Sequence, residues 1–284
     1  MNTNFPIEVS DLSPTNLITK AFSYAFHIQP LPLNGYYELL QSFVMWVSDR
    51  LRGSRSNFDC YLRKGIIVRS WDGFLFYARP RTSDLYAICC EEVYEVENWF
   101  KPHAKGVVVD VGAYIGTYTV RAMHTADLVV SIEPLPANFR VLQINVALNA
   151  YKRRTNVVLI NKAIAEKRKK AKIFVPIGVG CVGAGTATLE TASGEAKRFF
   201  SIDVDVDTLD NILNELGIDG IHMLKIDVEG YVLKALPGMI NSLKKTKILF
   251  IELLRKDLSA RYTLKQLGFK LKAHHGKNFL FIKE

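Results

Sequence analysis

The chain has 284 residues, 49% of them hydrophobic and 23% charged, a globular composition that excludes a mainly disordered protein. No stretch reaches the roughly 18 to 20 apolar residues of a membrane-spanning helix, and the N-terminus lacks the pattern of a secretion signal. The four cysteines and six histidines show no metal-ligand spacing. We therefore expect a cytoplasmic protein with no membrane span and no metal.

The net charge of +9 favours anionic partners through long-range attraction. The one dense basic run is Lys167-Arg168-Lys169-Lys170. Such a run is typical either of a solvated turn or of a contact with a polyanion. Both interpretations remain open at this point.

Residues 1–60 carry apolar residues at three-to-four spacing over 17–27 and 36–51, with Pro30 and Pro32 between them. This pattern predicts a helical extension over 1–60, ahead of a catalytic domain over 61–284. Residues 65–79 then change to a strand pattern around Asp72-Gly73, which predicts a β-hairpin.

From residue 105 onwards, short apolar runs alternate with helical segments. The runs over 106–111, 128–133, 157–161, 221–227 and 247–253 predict strands buried on both faces. This alternation favours an α/β, Rossmann-like fold with a mostly parallel central sheet. Two C-terminal strands, 269–273 and 278–283, add an antiparallel edge hairpin. The glycine-rich segment 176–188 interrupts the alternation, and we expect it to cover the substrate side of the sheet as a mobile gate.

A polar residue lies at the end of each of these five strands. In an open α/β sheet, ligands bind where the parallel strands end, so the following side chains should meet at one edge: Asp110, Glu133, Asn161, Asp227 and Glu252.

The loop after the first strand reads Gly112-Ala113-Tyr114-Ile115-Gly116. Its glycines allow a ligand to approach the backbone. The preceding Asp110 is a poor neighbour for a pyrophosphate but a good one for an ammonium and a sulfonium, which favours S-adenosylmethionine (AdoMet) over a dinucleotide. Glu133 is expected to accept ribose hydrogen bonds, and Asn161 and Ala163 to lie beside the adenine.

Several motifs occur together in one order: RTSD at 81–84, Glu92 and Tyr94, DVGAYIG, IEPLPANF, NKAI, LKIDVEGYVLKALPG and FIEL. In combination they resemble the FkbM family of methyltransferases over about residues 65 to 284. The resemblance implies a class I methyltransferase fold, AdoMet as methyl donor and usually O-methylation. It implies a cofactor site formed by Asp110, Gly112, Gly116, Glu133, Asn161 and Asp227. Glu92 and Tyr94 would close over the methionine end. Tyr114 departs from the family, which often has asparagine there.

A hydroxyl acceptor must lose a proton as it attacks the methyl group. Asp227 and Glu229 are the candidate bases, because extended backbone would direct both side chains the same way. Lys225 would lie on that side too. The alternative for Glu229 is a cap on the helix that follows. The pair His274-His275 either reaches the site or occupies an exposed turn.

Three functions remain open from the sequence. The first is a methyltransferase acting on a hydroxyl of a small molecule or glycan. The second acts on RNA or a protein side chain, which the net charge favours although no RNA-binding motif is present. The third is a non-catalytic cofactor-binding module or an NAD enzyme, which the missing middle glycine argues against. The sequence does not indicate an oligomeric state.

Overall fold

The computed structural model describes residues 27–54, 58–152, 155–177, 184–189 and 198–283. The predicted helix over 17–27 lies almost entirely outside this range. The strands are β1 (Ile28–Leu31), β2 (Ile66–Ser70), β3 (Leu75–Ala78), β4 (Val107–Val111), β5 (Leu128–Ile132), β6 (Asn156–Ile160), β7 (Ala163–Ile164), β8 (Lys169–Ile177), β9 (Arg198–Asp207), β10 (Ile221–Ile226), β11 (Thr246–Glu252), β12 (Lys270–His275) and β13 (Asn278–Ile282).

The helices are mostly short, apart from the first and the fifth. They are α1 (Leu33–Leu51), α2 (Asp84–Cys89), α3 (Val93–Glu95, continued by a π-helical turn Val96–Phe100), α4 (Thr117–Ala122), α5 (Pro136–Leu148), α6 (Leu209–Glu215), α7 (Val232–Ala235), α8 (Ile240–Lys244) and α9 (Ala260–Gln266). Within the part of the chain that is described, no helix is both long and apolar enough to span a bilayer.

The central sheet has the strand order β12-β13-β11-β10-β4-β5-β6. The strands from β11 to β6 are parallel, and β13 pairs antiparallel with both β11 and β12. The predicted parallel sheet with an antiparallel C-terminal hairpin is therefore confirmed. The chain runs outward from β4 in one direction and later returns to β10 on its other side, so the switch in strand order lies between β4 and β10.

Valine-rich strands form this sheet because both of its faces are covered. Along β4, Val109 and Val111 belong to one hydrophobic core, and Val108, the residue before Val109, belongs to the other. Each of the three is at most 1% exposed. An apolar run buried on both faces is the pattern expected of a parallel strand.

The N-terminal part builds a small antiparallel sheet, β1-β2-β3. The predicted hairpin is present, with Ile66 opposite Ala78. Residues 28–31, which the sequence analysis places in the break between two helices, form β1 and pair with β2. Helix α1 is tied to the segment before β2 by Glu38, whose Oε1 accepts hydrogen bonds from the backbone N–H groups of Arg63 (2.6 Å) and Lys64 (3.0 Å).

A second small sheet, β7-β9-β8, follows the third strand of the parallel series. It carries the basic run at the start of β8, beside the acidic strand β9. Arg168 pairs with Asp207 (2.8 Å), and Lys170 pairs with Asp205 (3.1 Å). The acidic partners neutralise much of the run, which favours a solvated surface over a contact with a polyanion.

Candidate active site

A cleft with a cavity volume of about 290 Å³ opens where β4, β5 and β10 end. One end is lined by residues 132–134 and 162–164, and we call it the Glu133 end. The other is lined by residues 91–92, 227–229 and Lys277, and we call it the Asp227 end. The volume is near the lower bound of typical small-molecule sites, which is about 300 Å³.

The glycine loop forms the floor between the two ends. Gly112 has a φ of +79°, which favours glycine. A Cβ there would overlap the carbonyl oxygen of Asp227 at far less than 3.0 Å. The loops after β4 and β10 are therefore in backbone contact. Ala113 and Tyr114 line the cleft, whereas Gly116 lies behind it as the residue before α4, with a φ of +87°.

Tyr114 connects this loop to the residues before β4. Its phenol donates a hydrogen bond to Asp84 Oδ1 at 2.5 Å, and Asp84 also pairs with Arg79 at 2.8 Å. The backbone N–H of Tyr114 donates to Glu133 Oε2 at 2.9 Å. The tyrosine thus anchors the loop through its hydroxyl, where the family often has asparagine.

Glu133 is 4% exposed and lines its end of the cleft. Its Oε1 accepts hydrogen bonds from the Leu135 N–H (3.0 Å) and the Asn138 side chain (3.1 Å). Burial raises the pKa of Glu133 to about 7 although these bonds oppose the rise. A fixed carboxyl group at this position suits the hydroxyl donors of a ribose, as the sequence analysis expects.

Asp110 is fully buried beneath the cleft rather than lining it. Its Oδ2 accepts a hydrogen bond from the Thr119 hydroxyl at 2.7 Å, and it lies opposite Lys225 in the pairing of β4 with β10. Burial raises its pKa against the opposing charge of Lys225. The side chain therefore supports the floor of the cleft from below.

The Asp227 end concentrates carboxyl groups around two lysines. Asp227 Oδ2 lies 3.4 Å from Lys225 Nζ, and Glu252 Oε2 lies 2.6 Å from Lys277 Nζ. Burial, followed by the negative charge of Asp227, raises the pKa of Glu252 to about 8. The same two causes raise the pKa of Glu229 to about 9. Such mutual repulsion favours a positively charged ligand.

The backbone reasoning behind the Glu229 prediction is wrong, although the side chain does line the cleft. Strand β10 ends at Ile226, and Glu229 has a φ of +48°. The two-residue periodicity of a strand therefore does not extend to this position. The alternative helix-cap role is not observed either, because Tyr231 precedes α7 and no side-chain cap hydrogen bond forms.

Besides Asp110 and Gly116, two further predicted cofactor residues do not line the cleft. Asn161 lies at the correct strand end, but its amide donates to the carbonyl groups of Glu133 (2.8 Å) and Pro134 (3.0 Å), so it holds the Glu133 loop in place. Tyr94 is 48% exposed and packs against Trp99. Glu92 and Ala163 line the cleft as predicted.

Several cleft residues are not predicted from the sequence. Lys277 lies in the turn between β12 and β13. Tyr118 lies in α4, just after the glycine loop, and Glu91 directly precedes Glu92. The neighbouring His275 bonds to Glu95 at 2.7 Å and does not line the cleft. The sequence shows only that Lys277 lies beside the predicted hairpin turn. It does not show the register in which β13 pairs with β11.

The glycine-rich segment falls partly outside the described residues. Of its described portion, 184–189, residues 185–189 line the cleft, and a Cβ on Gly185 would lie 3.4 Å from the Tyr114 ring. This portion therefore packs over the glycine loop. The expectation of a mobile gate remains a prediction.

The site fits AdoMet in its chemistry. Fixed carboxyl groups occur at both ends, and a glycine backbone without room for a Cβ lies between them. An ammonium and a sulfonium are suited to the acidic Asp227 end, and ribose hydroxyls are suited to Glu133.

Comparison with solved structures finds similar folds at low identity. Pyrococcus abyssi Trm5b is 14% identical, with 77% of this chain and 54% of that chain covered and a TM-score of 0.40. M. jannaschii TYW2 in complex with AdoMet is 16% identical, with 77% and 84% covered and a TM-score of 0.37. The Pyrococcus abyssi tRNA (uracil-54, C5)-methyltransferase is 10% identical, with 78% and 44% covered and a TM-score of 0.43. The chain thus spans only about half the length of the first of these.

No curated protein matches the sequence significantly. The Methyltransferase FkbM domain, in contrast, matches residues 110–271, more than half of the chain. This segment contains the glycine loop, Glu133, Asp227 and Glu252. The chain therefore belongs to the FkbM methyltransferase family and is an AdoMet-dependent methyltransferase.

Proposed function

We propose that the enzyme methylates a hydroxyl group of a small molecule or glycan. The observation that carries the proposal is the concentration of carboxyl groups at the Asp227 end of the cleft, where Glu91, Glu92, Asp227 and Glu229 surround the space beside the glycine loop. A hydroxyl acceptor needs a nearby oxygen base to accept its proton, and these groups are of that type.

Methyl transfer is an in-line displacement that depends mainly on alignment, with the acceptor oxygen about 3 to 3.5 Å from the methyl carbon. AdoMet, when bound, supplies a methyl group already activated by its sulfonium. The protein then has to orient the acceptor and remove its proton. We assign proton removal to Glu229, because it lines the cleft next to Asp227. Its raised pKa favours the protonated form in the empty cleft, and the positive charge of bound AdoMet favours the ionised form that a base requires.

An RNA acceptor is the second candidate, because the net charge of +9 attracts polyanions. Two observations support the first candidate over it. The Asp227 end would repel a phosphate backbone, and the dense basic run is paired with acidic residues of β9. An acceptor without a phosphate backbone fits this surface better.

The test is methyl transfer from tritium-labelled AdoMet to an extract of the source cells, fractionated afterwards. The proposal predicts label in the small-molecule or glycan fraction that resists both ribonuclease and protease. Label that ribonuclease or protease releases would contradict it. Salt-dependent binding of RNA at low ionic strength would likewise favour the second candidate.

The role of Glu229 is tested separately with Glu229→Gln. This variant should keep its affinity for S-adenosylhomocysteine (AdoHcy), and its turnover should fall by about 10²-fold or more, the usual contribution of a general base. Glu166→Gln is the control, because Glu166 is an exposed carboxylate whose Oε1 lies 3.9 Å from Lys167 Nζ. An unchanged rate in Glu229→Gln would end the general-base assignment.

A further inference from the structure

Three carboxylates meet at the Asp227 end from three separate parts of the chain. Glu92 precedes α3, Asp227 follows β10 and Glu252 ends β11. One oxygen of each lies within 4.8 Å of the corresponding oxygens of the other two. We call these residues the carboxylate cluster. Mg²⁺, Mn²⁺ and Ca²⁺ bind oxygen ligands at about 2.0 to 2.6 Å and so space those oxygens by about 3 to 5 Å.

Two oxygens of the cluster are buried without a hydrogen-bond partner among the described residues. The Glu252 side chain is 2% exposed, and its Oε1 accepts no hydrogen bond. Asp227 Oδ1 is also buried and accepts no hydrogen bond. An ionised oxygen removed from water without a partner is costly, and a bound cation would satisfy both atoms at once.

The third ligand is held in position by neutral donors. Glu92 Oε2 accepts a hydrogen bond from the Tyr118 phenol at 2.5 Å, and its Oε1 accepts one from Asn278 at 2.8 Å. Each oxygen keeps a lone pair after these bonds. Supporting hydrogen bonds of this kind orient carboxylate ligands in metal sites.

The formal charge of the region stays negative despite its lysines. The carboxyl groups are those of Glu91, Glu92, Asp227, Glu229 and Glu252. The ammonium groups of Lys225 and Lys277 lie beside Asp227 and Glu252, and Lys256 Nζ would lie 3.2 Å from a Cβ on Gly230. Five carboxylates against three ammonium groups leave two formal negative charges. AdoMet contributes a net single positive charge, so one negative charge remains.

We propose that Glu92, Asp227 and Glu252 bind a divalent cation of the Mg²⁺ or Mn²⁺ type at the Asp227 end of the cleft. Three protein ligands leave further coordination positions open to water or acceptor oxygens. A second inference concerns the acceptor and rests on the proposed function. We infer that the acceptor presents two neighbouring oxygen atoms, as in a vicinal diol or a hydroxy acid, and that the cation holds them beside Glu229.

Mn²⁺ binding to the full chain tests the site, because Mn²⁺ loses its free electron paramagnetic resonance signal when it binds. The titration is run with and without AdoHcy. Wild-type protein should bind one Mn²⁺, and Glu252→Gln should bind it at least tenfold more weakly. Glu91→Gln is the matched control, since it removes a cleft carboxylate outside the cluster, and its affinity should change less than threefold.

Lys277→Met provides a second variant in case Glu252→Gln fails to fold. It removes the ammonium that lies 2.6 Å from Glu252, so Mn²⁺ should bind at least threefold more tightly. Circular dichroism and AdoHcy affinity report on the fold of every variant.

Three results would overturn the metal site: no Mn²⁺ binding by the wild type at millimolar concentration, equal binding by folded Glu252→Gln, or an equal loss in Glu91→Gln. Unchanged or weaker binding by Lys277→Met would also contradict it. These outcomes are independent of the proposed function, because Mn²⁺ binding needs no acceptor. A wild type that binds Mn²⁺ but labels only RNA would refute the hydroxyl acceptor alone.

Discussion

Alanine at Gly112 should damage both the fold and the cofactor site. The residue has a φ of +79°, a conformation that costs an L-residue about 1 to 2 kcal/mol. The new Cβ would also overlap the backbone carbonyl oxygen of Asp227, which cannot rotate away as a side chain could. Displacing packed backbone adds about 1 to 3 kcal/mol. The expected loss of unfolding free energy is therefore about 2 to 5 kcal/mol.

Gly217→Ala is the matched control. Gly217 follows α6 with a φ of +68°, and a Cβ there would have no heavy atom within 4 Å. Only the conformational cost of about 1 to 2 kcal/mol applies, and 1 kcal/mol corresponds to a Tm change of about 2 to 4 °C in a protein near this size.

Differential scanning calorimetry should show a clearly larger drop in Tm for Gly112→Ala than for Gly217→Ala. AdoHcy affinity should fall at least tenfold in the first variant and stay unchanged in the second. Equal Tm drops, or normal AdoHcy binding by Gly112→Ala, would refute the claim that the loops after β4 and β10 are in contact at the site.

Two further predictions concern buried carboxylates. Glu133→Gln should weaken AdoHcy binding about tenfold in calorimetric titrations, because an amide NH₂ would face the N–H groups of Tyr114 or Leu135; unchanged affinity would contradict the ribose role. The second prediction concerns the contribution of Asp207 to stability. Burial raises the pKa of this carboxyl group, but hydrogen bonds from Lys162 and Asn211 outweigh burial and lower the pKa to about 2. Because the folded pKa lies below the unfolded value, its contribution of about 2 kcal/mol is present above about pH 4 and is lost as the pH falls towards 2. Denaturant unfolding of Asp207→Asn should therefore show a smaller loss of stability over that interval than the wild type, and parallel curves would contradict the assignment.

The central sheet could be predicted because its signal is local. Strands such as β4 and β10 are short apolar runs buried on both faces, and the Asp72-Gly73 turn specifies its own hairpin. Strand β1 gave no such signal, because its four residues include Pro30 and are strand only through pairing with β2. That partner is almost 40 residues away in the chain.

The site was predictable where it depends on strand ends and not where it depends on register or loop conformation. Asp227 and Glu133 follow strands and line the cleft. Lys277 reaches it only because β13 pairs antiparallel with β11. Glu229 was assigned by extending strand periodicity past Ile226, into residues where the backbone turns left-handed.

Calorimetric titration with AdoMet and, separately, with NAD⁺ tests the central claim most directly. The account predicts saturable one-to-one binding of AdoMet in the acidic cleft and no heat with NAD⁺, because the loop lacks the middle glycine and carries Asp110 beneath it. Saturable binding of NAD⁺ with no heat from AdoMet or AdoHcy would contradict it.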